Sequence, residues 1–224
     1  LNELKLSELK SLAAMGRYAT ARLDIIGKIQ DSNQDGPAGS RGGIYWAAET
    51  LFAATWNDKL TEQFGIMIGN ESLWLNIQGW YAPAMNIHRS PFSGRNFEYY
   101  SEDGLLSGRM ASAATKGAQS KGLYVFIKHY AVNDQETDRQ RILTYADEQT
   151  LREIYLKAFQ IPVEEGRANA VMSAFNYIGD RPAAQHYALL TEVLREEWGF
   201  KGVVVTDFYS GGQGTGAYQN INEE

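Results

Sequence analysis

The 224-residue chain carries 21 Lys and Arg against 27 Asp and Glu, a net charge of −6, which argues against a nucleic-acid binder, whose footprint is a basic stripe. It has no cysteine, so disulfides, thiolate catalysis and cysteine zinc sites are excluded, and three histidines, His88, His129 and His186, leave little room for a histidine metal cluster. No apolar run approaches the ~20 residues of a membrane span.

In chain order, residues 23–30 read as a candidate first strand. Asp35-Gly36-Pro37-Ala38-Gly39 is a turn by composition. Residues 47–70 have helical spacing and are expected to form one helix. The run 80–87 is short, apolar and mostly non-alternating, which is the pattern of a strand buried on both faces. A polar loop with Arg95 and Glu98 on either side of Asn96-Phe97 follows it. Residues 102–121 read as a helix, with Ser101, Glu102 and Asp103 at its N-terminus. The run 123–127 is a second buried strand, with Lys128-His129 directly after it.

Leu151, Ile154, Tyr155, Ala158, Phe159 and Val163 recur at three- and four-residue steps. They lay one apolar stripe along a helix over residues 147–167. A strand at 170–175, a helix at 187–198 and a β-branched strand at 202–206 complete the pattern. Gly122, Gly166 and Gly199 stand where helices should stop. Alternating helices and buried strands give an α/β fold, either a (β/α) barrel or a doubly wound sheet.

Polar groups collect where the strands end: Asn86 to Arg89, Lys128-His129, Asn176 and Asp207. In a barrel that rim holds the active site. Gly211-Gly212-Gln213-Gly214 is glycine-rich, yet no GxGxxG opens a helix after a strand, so nucleotide binding is disfavoured. Asp207 ends a rigid strand and suits a nucleophile, base or ligand role; it also suits the first position of an ordinary loop. Lys128 and His129 suit hydrogen bonds to substrate hydroxyls and a positive field around a carboxylate. They equally suit a rim ion pair and a packed histidine. Arg95 offers planar bidentate bonding, or a loop-pinning pair with Glu98.

Taken together, these stretches resemble the catalytic domain of glycoside hydrolase family 3, the β-glucosidase type. They are DGPAG at 35–39, GWYAPAMNIHRSPFSGRNFEYYSEDGLLSG at 79–108, KHYAVNDQETDR at 128–139, VMSAFNYIG at 171–179 and LLTEVLREEWGFKGVVVTDF at 189–208. The resemblance implies a TIM-like (β/α) barrel that is incomplete in this chain. It implies a retaining, exo-acting hydrolase that releases terminal β-linked glucose, with Asp207 as nucleophile. Asp35, Arg95, Lys128 and His129 match residues that bind hydroxyls of the sugar, and Arg139 and Met172 match residues that line the same subsite. The substrate implied is a β-linked glucoside or oligosaccharide, with β-xylosidase or β-galactosidase specificity as alternatives and a sugar-binding remnant without turnover as another. No cofactor and no metal are implied. The acid/base is expected to be a Glu on an α/β-sandwich partner domain outside residues 1–224. Residues 1–30 resemble members in which that domain comes first. Phe175 stands where the family often has Tyr.

Overall fold

A computed structural model of the chain describes residues 4–14 and 18–208. Five strands, β1 (Asn33–Asp35), β2 (Gly79–Tyr81), β3 (Tyr124–Tyr130), β4 (Ala170–Ser173) and β5 (Val203–Thr206), form one sheet. Every neighbouring pair is parallel, and the spatial order follows the chain order. A doubly wound sheet breaks that order at a switch point. Consecutive parallel strands with helical crossovers are the arrangement of a (β/α) barrel. The glycine-rich stretch 211–214 lies outside the described residues.

The crossovers carry α2 (Glu49–Ala54), α3 (Asp58–Leu75), α4 (Gly104–Gln119), α5 and α6. The α5 segment runs through Glu148–Thr150, a wide π turn at Leu151–Tyr155, and Lys157–Glu164. The α6 segment, Ala188–Glu197, is π-wound. A short helix α1 (Leu6–Ala14) precedes the sheet.

Alternate residues of one strand serve two cores, as the pleat requires. Val125, Ile127 and Val171 face the helices and pack with Ile68, Ala111, Ala114, Phe159 and Leu194. Tyr81, Phe126, Ala170 and Met172 face the barrel interior, with Val205 against them. Two apolar faces per strand are why these runs do not alternate in the sequence.

Three expectations need correction. Residues 23–30 are not a strand. Asp24–Ile26 is a 3-10 turn that ends on Gly27 at φ +66°, and Leu23 bridges antiparallel to Lys28. Ile25, Ile26 and Ile29 are exposed, so this apolar run has no sheet to join. The first strand is instead the polar β1, whose Asn33 side chain is buried and donates to Tyr81 Oη at 3.2 Å. Residues 47–70 are two helices, not one. Trp56 at φ +52° breaks the spiral, and Asn57 starts the next helix by accepting from the Leu60 N–H at 3.0 Å. The strand expected at 80–87 is regular only over Gly79–Tyr81. Beyond it, Ala84 makes an isolated parallel bridge to Lys128.

A small extra sheet was not foreseen. Leu143–Thr144 pairs parallel with Tyr177–Ile178, which pairs antiparallel with Arg181–Pro182. It ties the loop after β3, which carries Arg139, to the loop after β4.

Candidate active site

The sequence-selected residues meet at the C-terminal end of the sheet. Between Ile127 and Tyr130 the register of β3 shifts against β4. In a regular strand Lys128 and His129 would point to opposite faces, but the irregularity lets both reach one site. Lys128 Nζ donates to Asp35 Oδ1 at 2.5 Å and stands 3.8 Å from Glu98 Oε2. His129 Nε2 lies 3.0 Å from Arg95 Nη2 and 3.6 Å from Asp207 Oδ2. Lys128 and His129 thus lie within β3, not after it as the sequence reading had it.

Asn86 replaces the ladder bonds that the irregularity breaks. Its Oδ1 accepts the His129 N–H at 2.9 Å, and its Nδ2 donates to the His129 carbonyl at 3.0 Å. The Met85 N–H also donates to the Lys128 carbonyl at 2.9 Å.

Asp207 follows β5. Its Oδ1 accepts from the Phe208 N–H at 2.6 Å, while Oδ2 is buried with no hydrogen-bond partner among the described residues. Burial pushes the Asp207 carboxyl up from its ordinary range. The Phe208 N–H and the charges of Arg95, Lys128 and Arg139 oppose that rise. Burial, with the same three cations, holds the His129 imidazole well below its usual range. The ring is therefore neutral, and its contact with Asp207 is not an ion pair.

Arg139 donates to Glu136 Oε2 at 2.7 Å and lays its guanidinium 4.6 Å from the centre of the Phe175 ring. It acts on Asp207 through its field. Met172 is buried in the barrel interior beside Tyr81 and Phe126. Arg95, His129 and Asp207 therefore form one contact chain, Lys128 and Asp35 join it through Glu98, and Arg139 and Met172 flank the cluster.

Among the other carboxylates near the cluster, Glu98 and Glu136 are both held by cations. Arg95 Nε bonds Glu98 Oε1, and Arg95 Nη1 lies 3.9 Å from Glu136. Among the described residues no group of three His, Asp or Glu could hold a metal ion.

The sequence reading passed over three other side chains. Tyr18, ahead of the barrel, packs with its ring tilted against Tyr81 and Phe208, the centroids 6.0 Å and 6.2 Å away. Its phenol is raised by partial burial and then by the negative charges of Asp35 and Asp207, which places it beside both. Tyr99 and Asn133 are buried and bonded to one another behind His129. Their only sequence signal is that they sit inside the two rim motifs.

The chain is similar to known proteins over most of its length. The profile of the glycosyl hydrolase family 3 N terminal domain matches residues 36–222. Beta-glucosidase A of Butyrivibrio fibrisolvens is 43% identical over 203 residues, which is 88% of this chain and 24% of that protein. A beta-glucosidase of Rhizobium radiobacter is 37% identical over 93% of this chain and 27% of its own length. The chain thus spans about a quarter of the curated relatives it matches. Among solved structures, beta-glucosidase 3B from Thermotoga neapolitana in complex with glucose superposes with a TM-score of 0.87 at 39% identity, covering 93% of this chain and 33% of that one. Beta-glucosidase from Kluyveromyces marxianus superposes with a TM-score of 0.90 at 30% identity, over 97% and 28% of the two chains. With a profile match over most of its length and a relative 43% identical over 88% of it, this chain belongs to glycosyl hydrolase family 3.

Proposed function

We propose that the chain supplies the nucleophile and the sugar-gripping half of a retaining, exo-acting β-glucosidase. The observation that carries this reading is Asp207 Oδ2: a buried carboxylate oxygen with no donor on it among the described residues, at a strand end and in the field of Arg95, Lys128 and Arg139. A nucleophile needs a lone pair that is desolvated yet still ionised, and those cations oppose protonation. Asp207 would attack the anomeric carbon as the C–O bond to the leaving group breaks. The resulting glycosyl-enzyme would be hydrolysed by water.

Asp35, Arg95, Lys128 and His129 would bind sugar hydroxyls. Their bonds raise the rate where they tighten on the oxocarbenium-like transition state. Arg139 and Met172 would line the same subsite. Asp35, with half its side chain exposed on the far side of its Lys128 pair, would reach outward to the sugar. That position suits hydroxyls far from the anomeric carbon and favours a hexose over a pentose.

A retaining site needs a second carboxyl about 5–5.5 Å from the first. Glu98 and Glu136 are committed to ion pairs, so we assign the acid/base to a Glu of an α/β-sandwich domain outside this chain. The relatives' greater length supports that assignment. The same engaged carboxylates favour a second reading, in which the chain alone binds sugar without turnover.

An activated aryl β-glucoside separates the two readings, because its leaving group needs no protonation. Burst release of the aryl group with slow turnover is expected for a working Asp207. Complete absence of covalent labelling of Asp207 by a fluorinated glucosyl donor would sink the enzyme reading for this chain.

A further inference from the structure

Behind His129 runs a chain of five side chains whose donors and acceptors are fixed from both ends. At one end, Glu136 Oε1 lies 3.0 Å from Asn133 Nδ2. A carboxylate only accepts, so the group facing it is the Asn133 NH2. The same nitrogen lies 3.1 Å from Tyr99 Oη, so its second N–H makes that phenol oxygen an acceptor. At the other end, Arg95 Nη2 lies 3.0 Å from His129 Nε2. A guanidinium only donates, so Nε2 carries the lone pair. In a neutral imidazole the proton then sits on Nδ1, which lies 3.2 Å from Tyr99 Oη.

We propose that Tyr99 and Asn133 are positioning residues that lock His129 in the Nδ1–H tautomer, turning the Nε2 lone pair toward Arg95 and Asp207. The consequence lies 3.6 Å away, at Asp207 Oδ2. The Nε2–H tautomer would aim a donor at that oxygen and blunt it as a nucleophile. The locked tautomer aims none, and among the described residues Asp207 Oδ2 has no hydrogen-bond partner. Tyr99 suits the task because it is fully buried and its ring edge meets the imidazole at 79°. The Arg95 guanidinium also lies 5.9 Å from its ring centre. Burial pushes the Tyr99 phenol up, far from ionisation, so it works as a fixed neutral acceptor. Burial, and then the charges of Arg95, Lys128 and Arg139, keep the imidazole from taking a second proton.

The tautomer assignment rests on hydrogen-bond geometry alone, and its effect on the nucleophile rests on the glycosidase reading above. The test is long-range 1H–15N NMR of the full chain with 15N-histidine at neutral pH. His88→Gln and His186→Gln variants identify the His129 signals by elimination. Expected are a protonated Nδ1 and a bare Nε2 in the unaltered chain, and loss of that fixed pattern in Tyr99→Phe. Labelling of Asp207 by the fluorinated donor should slow by up to about tenfold in Tyr99→Phe, the worth of one hydrogen bond. A protonated Nε2 in the unaltered chain overturns the proposal. So do unchanged imidazole signals in Tyr99→Phe or, where that variant does not fold, in Asn133→Leu. If the unaltered chain is never labelled, the glycosidase reading falls while the NMR result still decides the tautomer.

Discussion

Lys128 and Asp35 share one short ion pair but not one environment. The Lys128 side chain is 2% exposed and that of Asp35 is 51% exposed. Removing the carboxylate strands a buried ammonium, whose nearest remaining charge is Glu98 Oε2 at 3.8 Å. Removing the ammonium leaves a carboxylate that water can still solvate. Breaking a pair is costly chiefly on the side left buried. Asp35→Ala is therefore expected to destabilise by about 3 kcal/mol, and Lys128→Met by clearly less. Urea unfolding of the two variants checks the order, and equal losses would contradict it.

Asp207 is expected to cost stability where it would serve function. Its carboxyl is pushed up in the folded chain, so the folded state binds more protons than the unfolded state. Stability then falls as pH rises from the ordinary carboxylate range through the raised value. Asp207→Asn removes that loss. The variant should melt higher than the parent at pH 7, by about 2–4 °C for each kcal/mol regained, and the gap should close in acid. Covalent labelling should vanish in the same variant. Calorimetry at pH 7 and at pH 4 reads the stability half of this prediction.

The sequence showed most of the sheet because its strands are buried on both faces. The runs at 123–127 and 170–175 are apolar but for Ser173, and the structure puts one set of side chains under the helices and the other inside the barrel. β1 was hidden because its three residues are Asn33, Gln34 and Asp35, held by backbone pairing and one buried amide. The 23–30 run misled for the opposite reason, being apolar but exposed. At the site, the residues named from the sequence are those with charges to show. What they lacked was a reason for Lys128 and His129 to face the same way, which lies in a register shift that no residue type announces. Tyr99 and Asn133 act through the direction of a hydrogen bond, and composition does not carry direction.

Arg139 reaches Asp207 by its field, and the predicted signature is a moved pH limb. Arg95, Lys128 and Arg139 all oppose protonation of the Asp207 carboxyl. Removing one cation should let burial push that carboxyl higher. In Arg139→Met the acid limb of Asp207 labelling should move to higher pH by about one unit. In Arg139→Lys, which keeps the charge, it should move less. A slower rate with an unmoved limb would show that Arg139 only holds Glu136 and Phe175 in place.

Adjacent residues between α2 and α3 should respond in opposite directions. Trp56 is 77% exposed and sits at φ +52°, a conformation that favours glycine. Trp56→Gly relieves that strain and is expected to be neutral or stabilising by about 0.5 kcal/mol. Asn57 caps α3 through the Leu60 N–H, and Asn57→Ala is expected to cost about 1 kcal/mol. Thermal unfolding of both variants tests the pair.

Two glycines near the end of α4 look alike in the sequence and are predicted to behave differently. Gly117 lies within α4, where alanine would normally be preferred by about 1 kcal/mol. A Cβ there would stand 2.2 Å from the Glu62 carbonyl oxygen and 2.7 Å from the Ile66 nitrogen, both backbone atoms of α3. Neither atom can turn aside, so Gly117→Ala must push the two helices apart. The expected loss is about 1–3 kcal/mol, in spite of the better helix former. Gly122, just past α4, is at φ +90° with nothing within 4 Å of a built Cβ. Gly122→Ala meets only the conformational cost, about 1 kcal/mol. If Gly117→Ala also spreads the helices, the α3–α4 interface should lose amide protection in hydrogen exchange. In Gly122→Ala protection should fall only around the turn itself.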